Sequence, residues 1–223
     1  MSRDYIEVDA SRAELPKRTP DSRASEITDA PTAPRSGIHP NGPSSLDVPG
    51  SAADKPVSDR QEPLSALSPF LQKIYQDWSR ARPAGRVFAT DLDLILGSML
   101  VPPMPGYYTA FVHGSRTSVH IGSMILPPEL CAELIKADPK WNGKPIRLAS
   151  CQTGKDAPSA FSIFPFAQEL AEELQVRVRA PSDSLWIFSK GELVVSSKEV
   201  DASGNVLPRR PPDGEWHEFT PRS

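Results

Sequence analysis

The sequence predicts an α/β domain built on a mostly parallel sheet, with an antiparallel hairpin added and a segment without a core in front. Three observations carry this. Two runs rich in β-formers, Tyr107 to Gly114 and Pro145 to Cys151, each run into a glycine-containing turn. Amphipathic helical stretches follow them, one bearing Leu130, Cys131, Leu134 and Ile135, the other Phe166, Ala167, Leu170, Ala171 and Leu174. Leu185 to Ser189 and Glu192 to Ser196 then flank Lys190-Gly191 as a hairpin.

Composition sets the bounds. The chain has 223 residues, 38% hydrophobic and 24% charged, which is room for one good-sized domain and accessory sequence. Its 25 prolines point to extended segments beside that core. Two cysteines, Cys131 and Cys151, are too few for a disulfide framework, so a reducing compartment is allowed. No run of about eighteen apolar residues marks a membrane span. The first residues lack an apolar h-region and are not read as a general secretory signal. Residues 1–64 carry 8 Lys and Arg against 11 Asp and Glu, and residues 65–223 carry 17 of each. A neutral domain without a basic stripe attracts phosphate backbones weakly, so no nucleic-acid partner is expected.

In chain order, residues 1–64 have Tyr5 as their only aromatic and are broken by nine prolines from Pro16 to Pro63. Such a segment is read as disordered, since it cannot bury enough apolar surface to offset chain entropy. Composition suits both a linker and an unstructured export signal. Residues 65–106 read as a helical part. Ser68-Pro69 caps a helix reaching about Arg80, with Phe70, Leu71, Ile74, Tyr75 and Trp78 on one stripe. Arg86 to Ala89 is a short strand, and Thr90-Asp91-Leu92-Asp93 caps a short helix that Gly97 weakens. Val101 to Gly106 ends that unit.

The main domain, 107–223, adds a short strand at Thr117 to Ile121, a helix from Pro127-Pro128, and the strand ending at Cys151. A loop from Gln152 to about Ser162 leads to the second helix, and Gln175 to Ala180 alternates as a strand at the sheet margin. A Gly- and Pro-rich tail, Asp201 to Asp213, precedes a last edge strand at Glu215 to Phe219.

Chemistry concentrates at two strand ends. His113 and Cys151, 38 residues apart, each close an apolar strand. A right-handed crossover through the intervening helix sets those strands close together and pointing the same way, at the edge where open α/β sheets carry sites. A thiol needs a base to become a nucleophile, and His113 can take the proton and return it to a leaving amine. The backbone N–H groups of Gly114 and Cys151 are the candidate oxyanion donors. Ser115, Arg116, Gln152, Asp183, Ser184 and Trp186 are the candidate pocket lining, weighed against simpler roles in turns and packing. Cys131 reads as core, and His120 as an outward strand position. His39 and His217 lie in polar, irregular surroundings. No CxxC or HExxH spacing supports zinc, and no cofactor is called for. If the crossover helix starts at the same sheet edge, Cys131 lies about 5 Å below it. A disulfide to Cys151 is then conceivable, since bridged Cα atoms sit about 4.4–6.8 Å apart.

Phe111-Val112-His113-Gly114 and Leu148-Ala149-Ser150-Cys151, histidine first, resemble the caspase-like clan of cysteine peptidases, with gingipains, legumains and the self-processing domains of large bacterial toxins. From Tyr107 to Pro221 the chain is more closely similar to carboxyl-terminal toxin domains of bacterial polymorphic toxins. The residues are His113-Gly114-Ser115, Ile146 to Gly154, Phe166 to Ala171, Val178 to Trp186 and Gly214 to Pro221. The resemblance implies a caspase-like sheet, His113 as base and Cys151 as nucleophile, and a protein or peptide substrate. It also implies an effector secreted or injected into a target-cell cytoplasm, with a cognate immunity protein or secretion chaperone as partner. Otherwise the chain is cytoplasmic. The Gln-Ala-Cys-Arg-Gly signature of true caspases is lacking, so preference for Asp is not carried over. Two other classes stay open: an inactive module of the same fold, and an ADP-ribosyltransferase, which needs a downstream catalytic Glu and no Cys151.

Overall fold

The computed structural model describes residues 5–8, 62–156 and 164–222. Strand β1 is Tyr5–Glu7, and two helices follow, α1 (Glu62–Ser65) and α2 (Pro69–Asp77). The Ser68 hydroxyl accepts from the Leu71 amide at 3.3 Å, with Pro69 in the first turn, and Leu71, Ile74 and Tyr75 are buried. The helix stops at Trp78. Strands β2 (Ser79–Arg82) and β3 (Gly85–Phe88) form a hairpin, where the sequence suggested helix to Arg80. Ser79-Arg80-Ala81-Arg82 has no apolar alternation, because β2 is an edge strand. Residues 65–106, expected as a helical part of the domain with a short strand at 86–89, hold α2 and also β2 and β3 of the main sheet.

Helix α3 (Leu92–Leu100) leads to β4 (Tyr108–Gly114), from whose end β5 (Val119–Ile121) and β6 (Met124–Leu126) fold back. Helix α4 (Pro128–Lys136), β7 (Ile146–Ala149), α5 (Phe166–Leu174) and β8 (Val178–Pro181) continue the alternation. Next come β9 (Leu185–Phe188) and β10 (Leu193–Val195), then β11 (Lys198–Val200), β12 (Val206–Pro208) and β13 (Trp216–Phe219). The β11–β12 hairpin falls partly in the stretch expected to be a tail, and exposed positions such as Val200 left no alternation to read there.

The main sheet has eight strands, in the order β13-β8-β7-β4-β3-β2 with β5 and β6 attached to β4. Its four central strands, β3, β4, β7 and β8, are parallel, and β2 and β13 are antiparallel edges. This is a mixed α/β fold. The hairpin β9–β10 stands apart from it, in a three-stranded sheet of order β1-β9-β10.

Side-chain alternation gives the main sheet two buried faces. Tyr108, Ala110, Val112, Ile146, Leu148, Val178 and Ala180 pack with residues of α2, α4 and α5 in one cluster. Val87, Phe111, Ala149 and Cys151 pack in the other, with Leu94 of α3 and with Val8, Leu185, Ile187 and Val195. A polar network ties one end of the first face. Asp138 accepts from Arg86 Nε and from the Tyr108 hydroxyl, both at 2.7 Å, and from the Lys140 amide at 3.0 Å. Burial and the Asp138 charge push the Tyr108 hydroxyl far above its ordinary pKa.

Residues 5–8 depart from the expectation of disorder over 1–64. Val8 is fully buried, and its amide donates to Leu185 O at 3.0 Å. A few apolar residues paired to a distant strand need no local amphipathic pattern. The expectation for 9–61 lies outside the described residues.

Candidate functional site

Strands β4 and β7 are immediate parallel neighbours, with Phe111 opposite Ala149 as their last paired residues. Two residues further along each chain are His113 and Cys151. The period of two puts both on the face of Phe111 and Ala149. The sequence-derived pair thus shares one sheet edge and one face.

His113 is held from one side. Its Nε2 lies 2.5 Å from Asp91 Oδ2, and the other oxygen of Asp91 accepts from the Leu94 amide at 2.8 Å, capping α3. Partial burial pushes the Asp91 carboxyl up. The His113 hydrogen bond, the Leu94 amide and the His113 charge outweigh it, and the pKa lies below its ordinary value. An ionised carboxylate only accepts, so the hydrogen of neutral His113 sits on Nε2 and Nδ1 carries the lone pair. Nδ1 is buried and has no hydrogen-bond partner among the described residues. His120 stands opposite His113 across β4 and β5, with Nε2 3.1 Å from Ser118 Oγ, and burial followed by the His113 charge lowers its pKa.

Cys151 is only 2% exposed, and Sγ accepts from the Leu185 amide at 3.1 Å. Burial pushes the thiol up to about 12; the Leu185 amide pulls the other way, and the charges of Glu7 and Asp183 push up again. Below that range the thiol stays protonated. Cys131 lies in the cluster on the opposite face, and both cysteines are free. The conceived Cys131–Cys151 disulfide is corrected on that ground: the sheet stands between the two side chains.

Gly114 is buried, and a Cβ there would lie 2.0 Å from Ser150 Oγ and 2.8 Å from Thr153 Cγ2. Its missing side chain therefore lets the Ser150–Gly154 turn pack against β4. That turn is pinned on both sides. Gln152 N donates to Asp183 O and Gly154 N to Pro181 O, at 3.0 and 2.9 Å. Thr153 O accepts from the Ala167 amide of α5 at 3.0 Å.

The expected pocket residues divide. Gln152 and Asp183 meet at the turn, with Lys155 Nζ 3.5 Å from Asp183 Oδ2. Ser184 is buried beside them, its carbonyl accepting from Ser196 N at 3.0 Å. Ser115 Oγ lies 3.0 Å from Ser118 Oγ, and Arg116 O accepts from the Phe166 amide at 2.8 Å. Trp186 is core of the small sheet, its Nε1 donating to Ser196 O at 2.9 Å. Asp91 is the residue the sequence reading missed in this role. The signal was there, because an acid following a strand parallel to β4 reaches the same sheet edge. Among the described residues no three His, Cys, Asp or Glu side chains converge as a metal site, and no helix is long and apolar enough to cross a membrane.

Residues 87–195, from β3 to the end of β10, match a family described as a domain of unknown function, DUF8616. The matched stretch contains Asp91, His113 and Cys151 and leaves out β1. No curated protein and no solved structure matches the chain.

Proposed function

We propose that this chain is a caspase-like cysteine peptidase domain of toxin or effector type that cleaves a protein substrate, with Cys151 as nucleophile, His113 as base and Asp91 as the group that orients His113. The observation that carries the reading is the common edge and face of His113 and Cys151, two residues past the last pair of adjacent parallel strands. Asp91 supports it by leaving Nδ1 as the basic nitrogen.

In the reaction, His113 takes the thiol proton, and sulfur adds to the scissile carbonyl carbon, whose C=O electrons move to oxygen. Collapse of that intermediate breaks the C–N bond, and the proton passes from His113 to the departing amine. Water, deprotonated by the same histidine, then hydrolyses the thioester. In an injected effector, the donor cell needs the thiol kept in check, by an immunity protein, a chaperone or the chain itself.

A second reading is a binding module of the same fold without chemistry. The buried Sγ, held by the Leu185 amide with the thiol pushed up to about 12, favours it. Incubating the protein with a cell extract and sequencing new amino termini separates the two. Cleavages lost in both Cys151→Ala and His113→Ala support the peptidase. Termini identical between the unmodified chain and both variants overturn it in favour of the module. Cleavage lost in His113→Ala and kept in Cys151→Ala overturns Cys151 as the nucleophile, and ADP-ribosylation of extract proteins without new termini would favour the transferase.

A further inference from the structure

Strand β1 is the least local element of the fold. It is separated from α1 by residues 8–61, yet it pairs antiparallel with β9 nearly the whole chain away. Its register sets Tyr5 opposite Phe188, Ile6 opposite Ile187 and Glu7 opposite Trp186. Strand β9 is paired on its other side by β10, so without β1 it becomes a sheet edge with unpaired backbone groups, which extended peptides recognise.

Each of the four residues has a distinct seat. The Tyr5 ring stands edge-on to Trp186 at 5.4 Å between centroids and tilted to Phe188 at 6.0 Å. Ile6 turns to the other side, against α3. Gly97 makes room there, since a Cβ at Gly97 would lie 3.1 Å from Ile6 Cδ1 and 3.3 Å from Ile187 Cδ1. Glu7 pairs with Lys198 at 2.7 Å. Val8 is fully buried and bonded to Leu185, the residue whose amide holds Cys151 Sγ. The family match spans β9 and Cys151 and does not extend to β1.

We propose that the edge of β9 beside Cys151 is a docking groove for an extended peptide of the pattern aromatic, aliphatic, acidic, aliphatic, and that Tyr5–Val8 are its built-in occupant, covering the thiol until displaced. Docking stands on the geometry of β9; calling the docked peptide a substrate rests on the peptidase reading. Because the occupant is covalently attached, its local concentration is high, and a free peptide displaces it only in excess.

Hydrogen exchange on the unmodified full chain tests this with a synthetic peptide of the sequence of residues 3–10. Residues 5–8 should exchange at least about tenfold faster than β4 and β7, by local opening. Excess peptide should strip their protection while residues 185–188 stay protected, and a peptide with aspartate in place of isoleucine and valine should leave the protection of residues 5–8 unchanged. Exchange of residues 5–8 only through global unfolding, or protection unmoved by peptide, overturns the proposal. In the full chain, Val8→Asp should raise Cys151 alkylation at least about tenfold, and added peptide should reverse it. An unchanged rate in a cooperatively melting Val8→Asp protein also overturns it, and if that protein does not fold, exchange on the unmodified chain decides. Peptide displacement without new amino termini in an extract overturns the peptidase reading alone. New termini with an undisplaceable β1 overturn this inference alone.

Discussion

Asp91 spends its two carboxylate oxygens on two tasks: one accepts from the Leu94 amide at the start of α3, and the other meets His113 Nε2 at 2.5 Å. The orientation of the imidazole is thereby coupled to the cap of a helix that also packs on β1 and β9. Helix capping and the candidate chemistry answer to one side chain.

Asp91→Ala should therefore cost stability by about 1 kcal/mol through loss of the cap and should also change His113. Because the pKa of Asp91 is depressed in the fold, its contribution is present above the unfolded value, about 3.9, and is lost as pH falls through the lower folded value. The gap in urea midpoint between Asp91→Asn and the unmodified chain should be narrower at pH 3 than at pH 6. A constant gap between them would refute the coupling.

Both thiols are pushed up to about 12 by burial. In the unfolded chain they ionise near 8.5 while the folded chain keeps them neutral, so the fold is fully supported below that value and loses support above it. Stability should fall by about 1.4 kcal/mol per pH unit for each thiol between roughly pH 9 and 10, below the range where the buried Tyr75 and Tyr108 hydroxyls add their own dependence. Cys131→Ala should remove about 1.4 kcal/mol per pH unit from that slope in denaturant titrations. An unaltered slope would mean the thiols are not the titrating groups.

Gly114→Ala brings a Cβ to within 2.0 Å of Ser150 Oγ and 2.8 Å of Thr153 Cγ2. Overpacking at such a site costs about 1–3 kcal/mol. The turn bearing Cys151 should shift with it, seen as altered alkylation of Cys151. A variant with the parent melting temperature and labelling rate would show that the turn yields freely.

Asp138→Ala removes the acceptor of Arg86 and of the Tyr108 hydroxyl in a buried network. Leaving those groups uncompensated should cost about 3–5 kcal/mol, read as a large drop in urea midpoint. A loss below about 1 kcal/mol would mean that water replaces the carboxylate without penalty.

The parallel strands, their helices, the hairpin and the placement of His113 and Cys151 at one sheet edge were legible in the sequence. Those features depend on local periodicity and on turns, which are written in consecutive residues. Residues 69–77, 128–136 and 166–174 each carry an apolar stripe long enough to read. Strand β2, the β11–β12 hairpin and β1 carry none, because edge strands draw their stability from partners far along the chain. Tertiary structure alone decided that Tyr5–Val8 docks on β9, that Asp91 reaches His113, and that Cys131 and Cys151 lie on opposite faces of the sheet. It also decided that Cys151 is sealed, since a thiol's burial depends on which distant segments cover it. Each of these is a contact between residues remote in sequence, settled by how faces pack and not by any local pattern.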